Sequence, residues 1–253
     1  LGLGADPNKC DKFGYSPLHR VSWHGNPELV RLLLSHGADL NKQNSDNQTP
    51  LHLSCAYGPA EVVKILCDAG ANKEIRDDSG WTALHLASTN GLFEIAKVLI
   101  DEGSNKDIQD NNGRTALHWA RNKGFSEIVK MLCDSGADPS SMKWTPLHLA
   151  VAKGDLKAIN CLLQQDPGMK DVEETLGKTP LHLAAWLNQV PALQLLCDAG
   201  VDMDKPDKFS QTALHIASEK GHVDVMKALL IAGAIKDKRN KDGKTALQRA
   251  QEV

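Results

Sequence analysis

Thr49-Pro50-Leu51-His52 is the phrase on which the reading of this chain turns. It returns as Ser16-Pro17-Leu18-His19, Thr82-Ala83-Leu84-His85, Thr115-Ala116-Leu117-His118, Thr145-Pro146-Leu147-His148, Thr179-Pro180-Leu181-His182 and Thr212-Ala213-Leu214-His215, and once more as Thr245-Ala246-Leu247-Gln248. The steps between copies are 33, 33, 33, 30, 34, 33 and 33 residues. A fixed period of this size marks a repeat protein, in which no unit can bury its apolar face alone.

Around the phrase, each repeat reads as two short helices and a turn. A Ser or Thr hydroxyl caps free N–H groups, and Pro or Ala follows at the first helical position. Nine residues on stands Gly25, Gly58, Gly91, Gly124, Gly154 or Gly221, where a helix stops, with Asn188 in that place in the sixth unit. A second helix carries apolar residues at i, i+3 and i+4, such as Leu29, Leu32 and Leu33 or Ile95, Val98 and Leu99. It ends near Gly37, Gly70, Gly103, Gly136, Gly200 or Gly233, and a polar stretch with Asp, Asn and Gly leads to the next phrase. Glycine serves here as punctuation, and neither GxxxxGK[ST] nor GxGxxG is present.

Composition agrees. The 253 residues are 41% hydrophobic and 24% charged with a formal net charge of −3, which excludes disordered, collagen-like and strongly basic classes. No apolar run of 18 residues occurs, and no charged-then-apolar leader is read at Leu1. Six cysteines without a CxxC argue against a zinc site or a disulfide scaffold, and favour reduced thiols in a cytoplasmic or nuclear setting. Only 4% of residues are aromatic, so thin layers of aliphatic side chains must fill the interior. Cys67, Cys133 and Cys197, at one place in three second helices, read as apolar fillers.

The eight in-phase phrases resemble the ankyrin repeat family, whose unit has a T-P-L-H-x-A signature. The resemblance implies an all-α repeat solenoid of paired antiparallel helices with β-hairpin fingers. It spans residues 1–253 as one array, with seven complete repeats from about 5 to 237 and partial ones at both ends. Residues 1–4 match the tail of a preceding helix, and Gln248 with Lys244, Arg249 and Glu252 would form a modest cap, but the incomplete repeats at both ends read rather as a fragment of a longer protein. The resemblance gives His19, His52, His85, His118, His148, His182 and His215 a structural role, bonding the Thr hydroxyl and nearby backbone. It also places Asn8 and Asn41 where this family undergoes asparagine hydroxylation. The short finger before Thr145 and the extra residue between Leu162 and Asp171 read as drift in tolerant loops or as a local change of curvature.

In this family partners dock on the concave side, through finger residues, the residue before the Thr, and the residues seven and eight after it. Carried over, those offsets select Tyr15, Trp81 and Trp144 before the phrase, Trp23, Trp186 and Tyr57 after it, and Phe13 and Phe209 on fingers. Trp119 reads as core. The rings fall into two groups, with Arg114, Arg121, Asn122 and Lys123 of the fourth unit between them. That pattern suits an extended or helical peptide with apolar anchors and an acidic middle. Replacing Trp81 and Trp144 by Ala is then expected to weaken capture with little loss of thermal stability. The basic run Lys236, Lys238, Arg239, Lys241 and Lys244 reads as a solvated finger or as a site for an acidic patch.

The function expected from this reading is a non-catalytic protein-binding module, monomeric as an isolated array. It would need no cofactor or metal, and would neither bind nucleic acid nor insert into a membrane. Two alternatives are the cytoplasmic ankyrin segment of a membrane channel or receptor, and a host-targeting segment of a pathogen effector.

Overall fold

The computed structural model describes residues 5–251; the readings placed on residues 1–4 and on Glu252 lie outside them. The chain forms two compact halves, residues 1–137 and 138–253. In the N-terminal half, helix pairs are α1 (Pro17–His24) with α2 (Pro27–Ser35), α3 (Pro50–Tyr57) with α4 (Ala60–Asp68), α5 (Ala83–Thr89) with α6 (Phe93–Asp101), and α7 (Ala116–Lys123) with α8 (Ser126–Asp134). The C-terminal half pairs α9 (Pro146–Lys153) with α10 (Leu156–Gln165), α11 (Pro180–Trp186) with α12 (Val190–Asp198), and α13 (Ala213–Glu219) with α14 (Val223–Ile231). It ends in α15 (Ala246–Ala250), and short 3-10 turns lie at Ser140–Met142 and Pro167–Asp171. Within each half first helices stack on first helices and second on second, as in α3 on α5 and α4 on α6, or α11 on α13 and α12 on α14. Among the described residues no helix is long and apolar enough to cross a membrane.

The repeated phrase makes the first helix. In every copy the Ser or Thr stands at the N-cap and forms a reciprocal box with the fourth residue of the phrase, His in seven copies and Gln248 in the last. Leu18, Leu51, Leu84 and Leu117, one per repeat, are fully buried, as are Leu147 and Leu181 in the other half. On second helices the buried stripe runs i, i+1, i+4, as in Ile95, Ala96 and Leu99 or Ile128, Val129 and Leu132. The first such helix departs from the expectation: Leu29 and Leu32 are exposed, because α2 has a second-helix neighbour, α4, on one side only among the described residues.

The fingers are tight turns, and no β-strand occurs among the described residues. In each full finger an Asp, Asn or Glu five residues before the Thr closes the loop. Asp77 N–H donates to Trp81 O at 2.9 Å, and Asp77 Oδ1 accepts from Ser79 N at 2.9 Å and Trp81 N at 2.9 Å. Asp11, Asn44, Asp110, Asp207 and Asn240 repeat the side-chain bonds. A single backbone bond then joins neighbours, such as Ser45 N to Phe13 O at 3.0 Å and Lys241 N to Phe209 O at 3.2 Å. The backbone is spent within the turn, so no ladder of strand bonds develops between fingers. Asn8, Asn41, Glu74, Asp171 and Asp204 add a second link, each accepting the backbone N–H of the residue 31 further on. The shortened finger keeps this logic: Met142 is buried and its carbonyl accepts from Thr175 N and Oγ1.

Helix stops are conformational, and one of them is also steric. Gly91 lies at φ +72°, and a Cβ there would sit 2.5 Å from the Phe125 ring of the next repeat. Gly91→Ala is therefore expected to cost about 2 kcal/mol from left-handed strain and overpacking together, read as a lower denaturant midpoint. A change below about 0.5 kcal/mol would show that the Phe125 ring moves aside freely.

Candidate functional site

The structure gathers the expected contact residues other than Phe13, Lys123 and Trp144 into three clusters. Tyr15, Trp23 and Tyr57 form a ladder on the ends of α1 and α3. Trp23 stacks on Tyr57 at 4.9 Å with an interplanar angle of 15°, Tyr15 lies 6.4 Å from Trp23, and the Arg20 guanidinium sits 4.3 Å over Tyr15. Tyr57 is 64% exposed and Trp23 37%. Phe13, 52% exposed on its finger, lies under Lys12 Nζ at 4.9 Å.

Trp81 belongs to a different kind of cluster. It is half-buried and packs edge-on against Trp119 at 5.0 Å, with the Arg114 guanidinium 5.0 Å from the Trp119 ring. Asp110 is 4% exposed and ties the group together: it accepts from Asn112 N at 2.8 Å, Arg114 N at 2.9 Å, Trp119 Nε1 at 3.0 Å and the Trp81 indole. Burial pushes its carboxyl up, but these donors prevail and hold it below the ordinary aspartate value. Trp119 is thus half-buried and hydrogen-bonded, where the sequence reading made it core. Arg121 is buried, which removes it from the expected basic surface of the fourth unit; Arg114 and Lys123 remain exposed.

The residue four after the Thr sets how a finger acid is completed. Arg20 pairs with Asp11, and Trp119 bonds Asp110. Where that residue is Ile216, Asp207 Oδ2 is buried without a partner among the described residues.

In the C-terminal half Trp144 is half-buried, and its indole N–H is buried without an acceptor among the described residues. Trp186 and Phe209 line a groove of about 370 Å³ together with Lys178, Glu219, Lys241 and Arg249. Lys178 Nζ lies 4.6 Å and Lys220 Nζ 3.8 Å from the Trp186 ring centre. His222 Nε2 donates to Trp186 O at 3.2 Å and so holds the end of α11. Glu219 accepts from Arg249 Nη2 at 2.6 Å and Gln211 Nε2 at 3.1 Å. Burial raises its carboxyl, and Arg249 and Gln211 more than offset that, leaving it below the usual glutamate value. Phe209 is 53% exposed at the rim.

The sequence reading passed over Lys178, Lys220 and Glu219, although they fall at the offsets it used. Lys178 directly precedes Thr179, and Glu219 and Lys220 stand seven and eight after Thr212. Outside the fourth unit, with its Arg114 and Lys123, only rings were selected at those offsets, and the charges around a ring decide what it can bind. Lys238 and Arg239 brace fingers, through Lys238 Nζ to Asp204 O at 2.7 Å and Arg239 Nη1 to Gly243 O at 2.6 Å.

The repeated histidines hold the contact residues in place. Nδ1 of His52 faces the Thr49 N–H at 3.1 Å and hydroxyl at 2.8 Å, so it is an acceptor and the proton sits on Nε2. Nε2 then donates to Trp81 O at 3.0 Å. His19, His85, His148, His182 and His215 reach Gln48, Arg114, Lys178, Gln211 and Lys244 in the same way. Each acceptor is the residue just before the next phrase, a contact position of the following repeat. His118 shares the Nδ1 arrangement with Thr115.

Nucleophile chemistry is disfavoured at the buried thiols of Cys55 and Cys67 and at the half-buried Cys197. Burial pushes Cys67 and Cys197 up to about 11 and Cys55 higher still. Among the described residues no three His, Cys, Asp or Glu side chains converge as a metal site.

Comparison with known proteins agrees with this architecture. The family model described as ankyrin repeats, three copies, matches residues 1–77, 69–143, 140–207 and 194–252. A stretch of 72 residues is 36% identical to "Leucine-rich repeat serine/threonine-protein kinase 1" of Caenorhabditis elegans, over 24% of this chain and only 3% of that protein. With paired helices, capping boxes and histidine links recurring at the same period as the matched motif, the chain belongs to the ankyrin repeat family, whose repeats are generally non-catalytic protein–protein interaction modules.

Proposed function

We propose that this chain is a non-catalytic protein-binding module that holds a partner segment against its fingers and first helices. The observation that carries this reading is the exposure of large rings on fingers and first helices of each half: Phe13, Trp23 and Tyr57 in the N-terminal half and Phe209 in the C-terminal half remain open to solvent. Aromatic residues of this kind anchor protein interfaces because they bury much apolar area at small entropic cost. Trp81, Trp144 and Trp186 contribute an edge or a face while partly built into the repeat stack.

The test uses rings whose loss leaves the fold intact. A Phe13→Ser, Tyr57→Ser, Phe209→Ser triple variant and the parent chain are immobilised, and captured proteins are compared by quantitative mass spectrometry. A discrete set retained by the parent and lost by the variant, with melting temperatures within a few degrees, is the expected result. Equal capture by both would overturn the assignment of these rings to binding.

A further inference from the structure

The second helices of the N-terminal half carry their charges in rows. Their second residues are Glu28, Glu61, Glu94 and Glu127, their fifth are Arg31, Lys64, Lys97 and Lys130, and the last three helices end in Asp68, Asp101 and Asp134. All of these side chains are exposed. Ion pairs cross the first two clefts between the helices: Arg31 Nη2 meets Glu61 Oε1 at 3.8 Å, and Lys64 Nζ meets Glu102 Oε1 at 3.1 Å. The third cleft, between α6 and α8, is not bridged. Ser135 stands there in the place of Glu102, and its hydroxyl donates to Leu132 O, so Lys97 lacks the carboxylate that Lys64 has. Among the described residues neither Lys97 nor Lys130 has an ion-pair partner.

This cleft holds a hollow of about 540 Å³, with the half-buried Phe93, Ile100 and Met131 among its lining and Lys97 and Lys130 midway along its two walls. Carboxylates stand at its ends, Glu127 near the helix starts and Asp101 and Asp134 at the helix ends, so two cations sit between three anions. We infer that the cleft takes an amphipathic helix of a partner protein, its apolar stripe on Phe93, Ile100 and Met131, its acidic residues at mid-length beside Lys97 and Lys130, and its basic residues at the ends. The walls are nine-residue helices about 13 Å long, which a helix can follow with residues i, i+3, i+4 and i+7 all turned to the floor. An extended strand would lift alternate side chains away from it. A partner carboxylate supplies to Lys97 what Glu102 supplies to Lys64. The basic contact at the helix ends is assigned to Asp101, because Asp134 is engaged within the chain. No finger or first-helix residue lines the cleft, so this surface is additional to the exposed rings.

The probes are two fluorescein-labelled helical peptides of identical composition and apolar stripe, KAKLEALLAELKAK with an acidic middle and EAKLKALLAKLKAE with a basic one. A third, KAKQEAQQAEQKAK, lacks the stripe. Binding to the complete chain is read by anisotropy at 50 mM NaCl. The acidic-middle peptide is expected to bind about fivefold more tightly than the basic-middle one, and the third peptide not to bind. A Lys97→Glu, Lys130→Glu variant should reverse that preference, a comparison in which any difference in peptide helicity cancels. Ser135→Glu should restore a carboxylate to Lys97 and weaken the acidic-middle peptide about threefold. All these positions lie at the surface or a helix cap, so melting temperatures should stay within a few degrees of the parent. The Phe13→Ser, Tyr57→Ser, Phe209→Ser variant should bind both peptides as the parent does.

No binding, equal binding of the first two peptides, or a preference that survives the double glutamate variant overturns the proposal. Binding of the third peptide overturns it as well, since the contact would then be electrostatic alone. Loss of peptide binding in the triple ring variant moves the peptide to the rings and away from this cleft. A chain that sediments as a dimer, and as a monomer once Lys97 and Lys130 are replaced, would give the cleft to a second copy and equally overturn the assignment. Capture by the rings is read in a separate variant, so either reading can fail while the other stands.

Discussion

Stability of the chain is expected to fall steeply as pH drops from about 6.5 towards 4, beginning above the range in which surface carboxylates titrate. His182 is nearly inaccessible, and burial depresses its pKa to about 4, only partly opposed by its bond to Gln211 O. His19, His52, His85, His118 and His215 are depressed in the same direction, burial again being the main cause. The folded pKa lies below the unfolded one, so between the two values the unfolded chain binds more protons. Stability is fully present above about 6.5 and is lost as pH falls towards the folded value.

For His182 alone this depression corresponds to about 3 kcal/mol at neutral pH relative to acid. Urea midpoints at pH 7.5, 6.5, 5.5 and 4.5 measure the effect. His182→Gln should flatten the profile by about one proton. Gln248 shows that Gln keeps the cap, its Oε1 accepting the Thr245 N–H at 2.9 Å. The substitution gives up the reach to Gln211 O, so its midpoint at pH 7.5 should also be lower. Midpoints that do not change between pH 7.5 and 5.5 would mean that the imidazoles charge within the folded state.

Asp110→Ala is expected to lower stability by about 3 kcal/mol, since it leaves two finger N–H groups and two indoles without the buried carboxylate that accepts from them. Asp110→Asn separates the two roles. Asn44 and Asn240 close the same turn with their amide oxygens, so the finger should survive. The amide nitrogen would then face an indole donor, at a cost of about 1 kcal/mol. Trp81→Ala removes the ring packed on Trp119 and should cost about 2 kcal/mol, less than the 3–5 typical of a fully buried ring. Trp81→Phe should retain most of that packing. Guanidinium unfolding of the four variants gives the ranking. A Trp81→Ala protein as stable as its parent would return Trp81 to the role of a loose surface anchor.

That second expectation reverses what the contact offsets alone imply for Trp81. A ring before the Thr can face solvent or its neighbour, and the outcome depends on a residue in the next repeat. Trp81 meets Trp119 of the following repeat, whereas Tyr15 meets Trp23 of its own. The stripe on α2 failed as a guide for a related reason: Leu29 and Leu32 have the spacing of core residues, but the side they face has no neighbour among the described residues.

The period, the helix starts and stops, and the aliphatic layers were legible in the chain itself. They rest on interactions within one repeat, where a Thr caps its own helix and Gly or Asn188 takes up a positive φ. Those local preferences hold whatever surrounds them, and eight copies made them unmistakable. The folded structure decided what lies between repeats: fingers as turns and not strands, the histidine reach to the next finger, the burial of Arg121 and the lysines against Trp186. The histidine links, such as His52 to Trp81 O, join groups 29 residues apart and Lys220 comes from 34 residues beyond Trp186, while even Lys178, eight residues before the ring, meets it only in the folded repeat. Their energies depend on desolvation and mutual geometry that exist only once the layers are stacked.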